Sequence, residues 1–444
     1  MKVGQTDVKW VVAVVAALLL SCKMPERAGT VHPVTPVDAT AVQIRLSVMD
    51  FGARGDGTAN DTRAVQAAID SVASAGGGTV LVPEGTYLCG SIWLRSNVEL
   101  HLDEGSVIKG SPDIGDYCSA DCCPQNEAEI GWGDYISGGH LLLGVNVRSV
   151  SLTGSGKIDG NSGAFLLDED GKPYKSKSQI PNRPSQMVWF VDSRDISITG
   201  IELADSPYWS LFIHNSEKIR IEGCYVHTQR KAYHTFNGDG IDIDRCHDVT
   251  ISNCRVDTAD DCITLRASGA RLLEKPMDCS GVRVADCTVS SSCNAIRIGV
   301  GEGHIHDAVF SGINISDTNV GFNIVAAYVK GSRGTDIDNI SFNGCRIQAN
   351  ELMRIHHMRS AAAIIKDITF DGIEGTAPND SHIWAKKAAP FMNITLRNVN
   401  VPAEFQCINA TVNVDGGLFR MKGLSSEEFG RISEGIENES KLLY

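Results

Sequence analysis

The sequence predicts an all-β chain wound as a right-handed parallel β-helix, a solenoid closed over its first coil by a short helix. Three observations predict it. A short alternating segment recurs as SVSL (149–152), DISI (195–198), KIRI (218–221), DVTI (248–251), GVRV (281–284), DAVF (307–310), NISF (339–342), DITF (367–370) and NITL (393–396). From Asp195 onward the interval is 23 to 33 residues, within the range of stacked repeat architectures. Gly, Asn and Asp turns separate the strand pieces, and no unit carries enough apolar side chains to bury a face alone. Stacking each strand on the next rung at ~4.8 Å solves that problem. Hairpin signals are sparse, which weighs against an ordinary sandwich.

Taken from the N-terminus, MKVGQTDVKWVVAVVAALLLSC places lysines ahead of an apolar run from Trp10 to Leu20. The run is too short to span a bilayer and reads as a secretion signal over residues 1–21. Leu19-Leu20-Ser21-Cys22 resembles a bacterial lipobox, which implies Cys22 as the lipidated first residue of the mature chain; a cleaved signal with an incidental cysteine is the alternative. Residues 22–45 suit a tether. The expectation is an exported, membrane-anchored lipoprotein in the periplasm or on the surface of a bacterium, touching the membrane only through its lipid and otherwise monomeric.

The solenoid is expected over residues 46–424. Its first coil is plugged by a helix over Thr62–Ala75, with Asn60 or Asp61 as N-cap, Gly76-Gly77-Gly78 as the stop, and Val65, Ile69 and Val72 on the buried face. Residues 425–444 form a polar tail. A net charge of −14 over 444 residues excludes a nucleic-acid partner, because no basic stripe is available to release counterions from phosphate.

Fourteen cysteines in an exported chain invite a disulfide framework. Cys224, Cys254, Cys287 and Cys345, however, stand where sibling repeats carry Ile201, Ile313, Ile373 or Val399. They read as small buried hydrophobes with free thiols. Cys118, Cys122 and Cys123 lie in a loop-like stretch and are the better disulfide candidates. No Cys/His spacing marks a zinc site.

Chemistry concentrates in NGDGIDIDRCHDVTISNCRVDTADDCITLRA, from Asn237 to Ala267. Alternation points Ile241, Ile243, Ile263 and Leu265 inward and Asp242 and Asp244 outward. Aligning Ile241 on Ile263 puts Asp239 beside Asp261, with Asp260 one residue earlier. The stack continues with Ile296 and then the Gly321–Val325 segment. One outward column therefore reads Asp242, Thr264, Arg297, Asn323, and another Asp239, Asp261, Asn294. Clustered like charges on adjacent rungs cost stability. Two carboxyls with separated pKa values are what glycosidic cleavage requires; a calcium site is the other physical reason for such a cluster.

Asn237-Gly238-Asp239, the Asp260-Asp261 pair and their separation resemble the polygalacturonase-like glycoside hydrolases of family 28, which are right-handed parallel β-helices. FGARGDGTANDTRAVQAAID and GGGTVLVPEGTY are similar to the opening segment of the same superfamily. The resemblance runs from about Val48 to Val401. It implies Asp260 as general acid, Asp239 and Asp261 as the pair that holds and deprotonates the attacking water, inversion of configuration, a pectic polysaccharide or oligosaccharide as substrate, and no metal or other cofactor. Asn237, Asp242, Asn294, Arg297, Asn323 and Arg266 are the candidate substrate-binding residues.

Two positions depart from the family pattern. Cys293-Asn294-Ala295 replaces Gly-His-Gly, and Asn323-Ile324-Val325 replaces Arg-Ile-Lys, so the histidine and both carboxylate-gripping cations are missing. Arg297, one rung before Asn323, is positioned to clamp a carboxylate in their place, against the alternative of a pair with Asp242 or Asp261. Arg266 shares a column with Asp244 and is expected to form a salt bridge in the wall. The departures shift the expected substrate toward rhamnogalacturonan-type or terminal cleavage. Two further readings stand beside the hydrolase: a calcium-dependent polysaccharide lyase with Arg297 as base, and a glycan-binding protein whose catalysis lapsed with the histidine. His304 and His306, His356 and His357, and Tyr208 and Trp209 are lesser candidates.

Overall fold

The computed structural model describes residues 44–129, 136–175, 179–180, 182–230, 237–268, 277–327, 332–357, 362–385 and 392–423. The signal, Cys22, the tail and the tether up to residue 43 lie outside them; Ile44 and Arg45, expected in the tether, instead open the first strand, where they pair with Gly78 and Thr79. The strands run from Ile44–Ser47 to Arg420–Gly423, and every strand pair is parallel. The chain is a parallel β-helix.

All nine repeat segments fall in one thirteen-stranded sheet. Its register stacks Val150, Ile196, Ile219, Val249, Val282, Ala308, Ile340, Ile368 and Ile394 in a single column, and each is buried. The residue opening most of these segments has positive φ: Ser149, Asp195, Lys218, Asp248, Gly281, Asp307, Asn339 and Asp367 lie between 52° and 63°. Left-handed backbone favours Gly, Asn and Asp, so the corner of the coil explains the composition of the repeat.

The other two faces of the coil belong to one twenty-one-stranded sheet. They merge because Asn314–Val325 and Arg346–His357, each of twelve residues, pair on both faces. Cys224, Cys254, Cys287 and Cys345 are buried beside Ile201, Ile313, Ile373 and Val399, and thiols such as Cys254 (3.3 Å to the Ser252 carbonyl) donate to main-chain oxygens. All thirteen described cysteines are free. The disulfide expected among Cys118, Cys122 and Cys123 is therefore not formed; the three pack, half-buried, against the cluster of Trp189 and Trp209.

The plug helix spans Thr62–Ser74. Asn60 Oδ1 accepts from the Thr62 N–H at 3.1 Å. Asp61 at the N-cap position instead turns its carboxylate to the Arg54 and Gly55 amides at 2.8 and 3.0 Å, pinning the preceding loop. Val65, Ile69 and Val72 are fully buried, at about 1.5–3 kcal/mol each.

Candidate active site

The site is built where the strands Ile241–Asp244, Ile263–Ala267 and Asn294–Gly301 stack. Ile241 pairs with Ile263 and Ile263 with Ile296; Asp242, Thr264, Arg297 and Asn323 follow in one outward column, as the alternation predicts. The column extends both ways. Before Asp242 it reads Leu143, Trp189, Phe212; beyond Asn323 it reads Arg354, His382, Gln406. The column thus passes from an apolar wall, through Asp242, to the guanidinium groups of Arg297 and Arg354.

The turn before each strand holds the remaining acids. Gly240 N–H donates to the Asp261 carbonyl at 2.8 Å and Asp260 N–H to the Gly238 carbonyl at 3.4 Å, so residues 238–240 and 260–262 lie side by side. Gly240 is required there: a β-carbon would meet the Cys262 carbonyl at 2.5 Å and a Val256 methyl at 2.6 Å. Ser291 Oγ and Thr258 Oγ1 both donate to the Asp260 carbonyl, at 2.5 and 2.8 Å, and lock the turn.

Asp239, Asp260 and Asp261 are all under one-tenth exposed. Burial raises Asp239 well above the usual carboxylate range, and repulsion from Asp242, Asp260 and Asp261 adds to it, with Arg266 opposing. Its Oδ1 has no hydrogen-bond partner. Asp242, fully buried, is pushed up to about 7 by burial against the pull of Arg266. Asp261 is held differently. Asn294 Nδ2 donates to its Oδ1 at 2.5 Å, Asn323 Nδ2 donates to Asn294 Oδ1 at 2.9 Å, and Arg297 Nη1 stands 3.8 Å from its Oδ2. Uncompensated carboxylates in low dielectric hold protons, so Asp239 and Asp242 are the acids that burial favours in the neutral form.

The structure places the other sequence candidates as follows. Arg297 is 2% exposed, in contact with Asp261. Arg266 pairs with Asp242 at 2.9 Å and not with Asp244, its register neighbour. The reason is local: Asp244 accepts the Ser268 N–H at 2.8 Å, while the Arg266 guanidinium lies 4.1 Å from the Trp209 ring and leans toward the earlier rung. Asn237, with φ 57°, is half-buried at the start of the acidic turn. Tyr208 and Trp209 stack on each other at 4.7 Å and are buried, so packing is their role here. His304 and His306 open a strand of the thirteen-stranded sheet, away from the acids.

Sequence reasoning missed Cys293, Arg354 and His382. The Cys293 thiol and the Asp260 and Asp261 carboxylates come within 4.8 Å of one another, a set able to ligate a cation, although Arg297 already supplies positive charge to Asp261. Arg354 and His382 share Glu351, at 2.7 and 2.8 Å. Extending the alternation by one strand, through Glu351-Leu352-Met353-Arg354, was the available signal.

Residues 126–281, which hold all three acids, match the family model described as glycosyl hydrolases family 28; residues 45–117 match one described as rhamnogalacturonase A/epimerase, pectate lyase-like. The chain is polygalacturonase-like, and over residues 126–281 it resembles glycoside hydrolase family 28. It is 26% identical to a probable polygalacturonase of Vitis vinifera over 88% of this chain and 81% of that one. It is 23% identical to an exo-poly-alpha-D-galacturonosidase of Dickeya chrysanthemi over 82% of this chain and 63% of the other. Among solved structures, a hyperthermoactive exopolygalacturonase from Thermotoga maritima superposes with TM-score 0.67, 20% identity, and coverage of 85% of this chain and 92% of that chain. The family 28 match ends before Cys293-Asn294-Ala295, where the sequence departs from the family pattern.

Proposed function

We propose that this hydrolase cleaves pectin-type polysaccharide with inversion, from chain ends, using Asp260 as general acid and Asp261 as the base that deprotonates the attacking water. The observation that carries the reading is the asymmetry within one buried cluster. Asp261 receives the Asn294 amide and faces the Arg297 guanidinium, the contacts that orient a base toward water; Asp239, raised by burial and by its acidic neighbours, stays protonated and steadies the water. Asp260, one residue before Asp261 in the same turn, takes the leaving-group side, where glycosidic hydrolysis needs a neutral donor opposite the base. Action at chain ends is supported by exo-acting proteins among those it resembles, such as those of Dickeya chrysanthemi and Thermotoga maritima.

Uronate recognition follows from the same column. Arg297 fills the cationic role nearest the acids, with Arg354 and His382 on the next rungs. A rhamnogalacturonan-directed specificity is the second reading, favoured by the match over residues 45–117. Incubating the protein with a panel of pectic oligosaccharides and weighing the products by mass spectrometry tests both. Release of single galacturonate residues supports the first; fragments ending at rhamnose support the second. Unsaturated products that disappear with a chelator would assign a lyase instead, and bound but intact oligosaccharides a lapsed enzyme.

For its location we propose an exported lipoprotein acylated at Cys22. Fatty-acid labelling in a bacterial host, lost in Cys22→Ala, is the expected result; equal labelling of the variant overturns it.

A further inference from the structure

We propose a second site, on the thirteen-stranded sheet, that binds one divalent transition ion of the zinc class through His304, His306 and Asp278. His304 and His306 lie two residues apart on the strand His304–Ser311, so both rings project from the same face, their centroids 4.3 Å apart. Asp278 lies one rung back, immediately before Cys279, which pairs with Ile305. One nitrogen of each ring and a carboxylate oxygen of Asp278 all fall within 4.8 Å of one another.

His304 Nε2 lies 2.7 Å from Asp338 Oδ2, and His306 Nδ1 lies 2.7 Å from Asp307 Oδ2. A neutral ring that donates its one proton outward keeps a lone pair on the other nitrogen, which is the form a metal selects. Those nitrogens, Nδ1 of His304 and Nε2 of His306, face Asp278 Oδ2 at 3.6 and 3.7 Å. In that form two lone pairs and a carboxylate oxygen converge on one point, the donor set a divalent ion takes.

The spacing fits a metal. With metal–N and metal–O bonds of ~2.0–2.1 Å and tetrahedral angles, ligand atoms stand ~3.3–3.4 Å apart; both N–O separations, 3.6 and 3.7 Å, are close to that, and the whole set lies within 4.8 Å. Water completes the fourth position. Outer carboxylates on metal-bearing histidines are a recurrent feature of such sites, fixing the tautomer and raising ligand basicity. Asp338 belongs to the next rung, through its register with His306, so the ion ties three successive coils. Sequence spacing alone does not show the site, because the third ligand arrives from another coil.

The test uses the full-length chain, stripped with a chelator and titrated with Zn²⁺ by calorimetry at pH 7.5. The double variant His304→Ala/His306→Ala is the comparison, with matching circular dichroism showing that it folds. The wild type is expected to take up one equivalent more than the double variant, and Asp338→Asn to bind that equivalent roughly 10–100-fold more weakly. Cobalt bound at this equivalent gives weak visible bands without thiolate charge transfer. Equal Zn²⁺ uptake by wild type and double variant, or a thiolate signature for the extra equivalent, overturns the proposal.

Discussion

Replacing Arg266 with Met tests how the acidic groove is held together. Arg266 and Asp242 form a pair at 2.9 Å in which Asp242 is fully buried and the Arg266 side chain is 8% exposed. Removing one partner of such a pair strands a charge and costs about 3–5 kcal/mol; the lost cation–π contact with Trp209, at 4.1 Å, adds up to ~2 kcal/mol. The solenoid from Ile44 to Gly423 contains roughly 380 residues. At ~2.1 cal/mol/K per residue its unfolding entropy is about 0.8 kcal/mol/K, so 4 kcal/mol lowers the melting temperature by about 5 °C. Adding Asp242→Leu removes the stranded carboxyl, and the double variant is expected to regain most of the loss, since apolar replacement of a whole buried pair is close to neutral. Scanning calorimetry reads all three proteins. A single variant melting within 1 °C of wild type (against the ~5 °C estimated), or a double variant no better than the single, refutes the reasoning.

Other expectations follow from the same geometry. Asp261→Asn should lower kcat by about 10²–10⁴, the scale of a lost general base, while Asp239→Asn, which imitates the protonated form, should lose roughly tenfold; equal losses would contradict the assignment. Folding raises the Asp239 pKa, so above pH ~4 the native state holds a proton that the unfolded chain releases, and its contribution to stability falls as pH rises. Asp239→Asn should therefore melt above wild type at pH 8, with the gap closing toward pH 4; a pH-independent gap would count against a raised Asp239. Gly240→Ala forces a β-carbon against the Cys262 carbonyl; it should cost at least about 1–3 kcal/mol and lower kcat more than it raises KM, whereas unchanged kinetics would show that Asp239 does not depend on this turn.

The architecture was legible because alternation and like-for-like register are local properties. Once Ile241 lies on Ile263, the positions of Asp242, Thr264, Arg297 and Asn323 follow, and the structure has them there. What alternation does not encode is where a long side chain leans. Arg266 crossed to Asp242 because Trp209 draws its guanidinium and Ser268 satisfies Asp244. Outward did not mean exposed either: Asp242 and Asp244 are fully buried. Arg354 and His382 were within reach of the same rule, which was not carried one strand further.

The most direct measurement is the turnover of a defined pectic oligosaccharide followed by NMR at the anomeric proton, for wild type and Asp260→Asn. The account predicts that wild type first releases the inverted anomer, and that the variant binds the oligosaccharide but leaves it intact. Release of the retained anomer, or variant turnover within tenfold of wild type where a lost general acid should cost about 10²–10⁴, would contradict it.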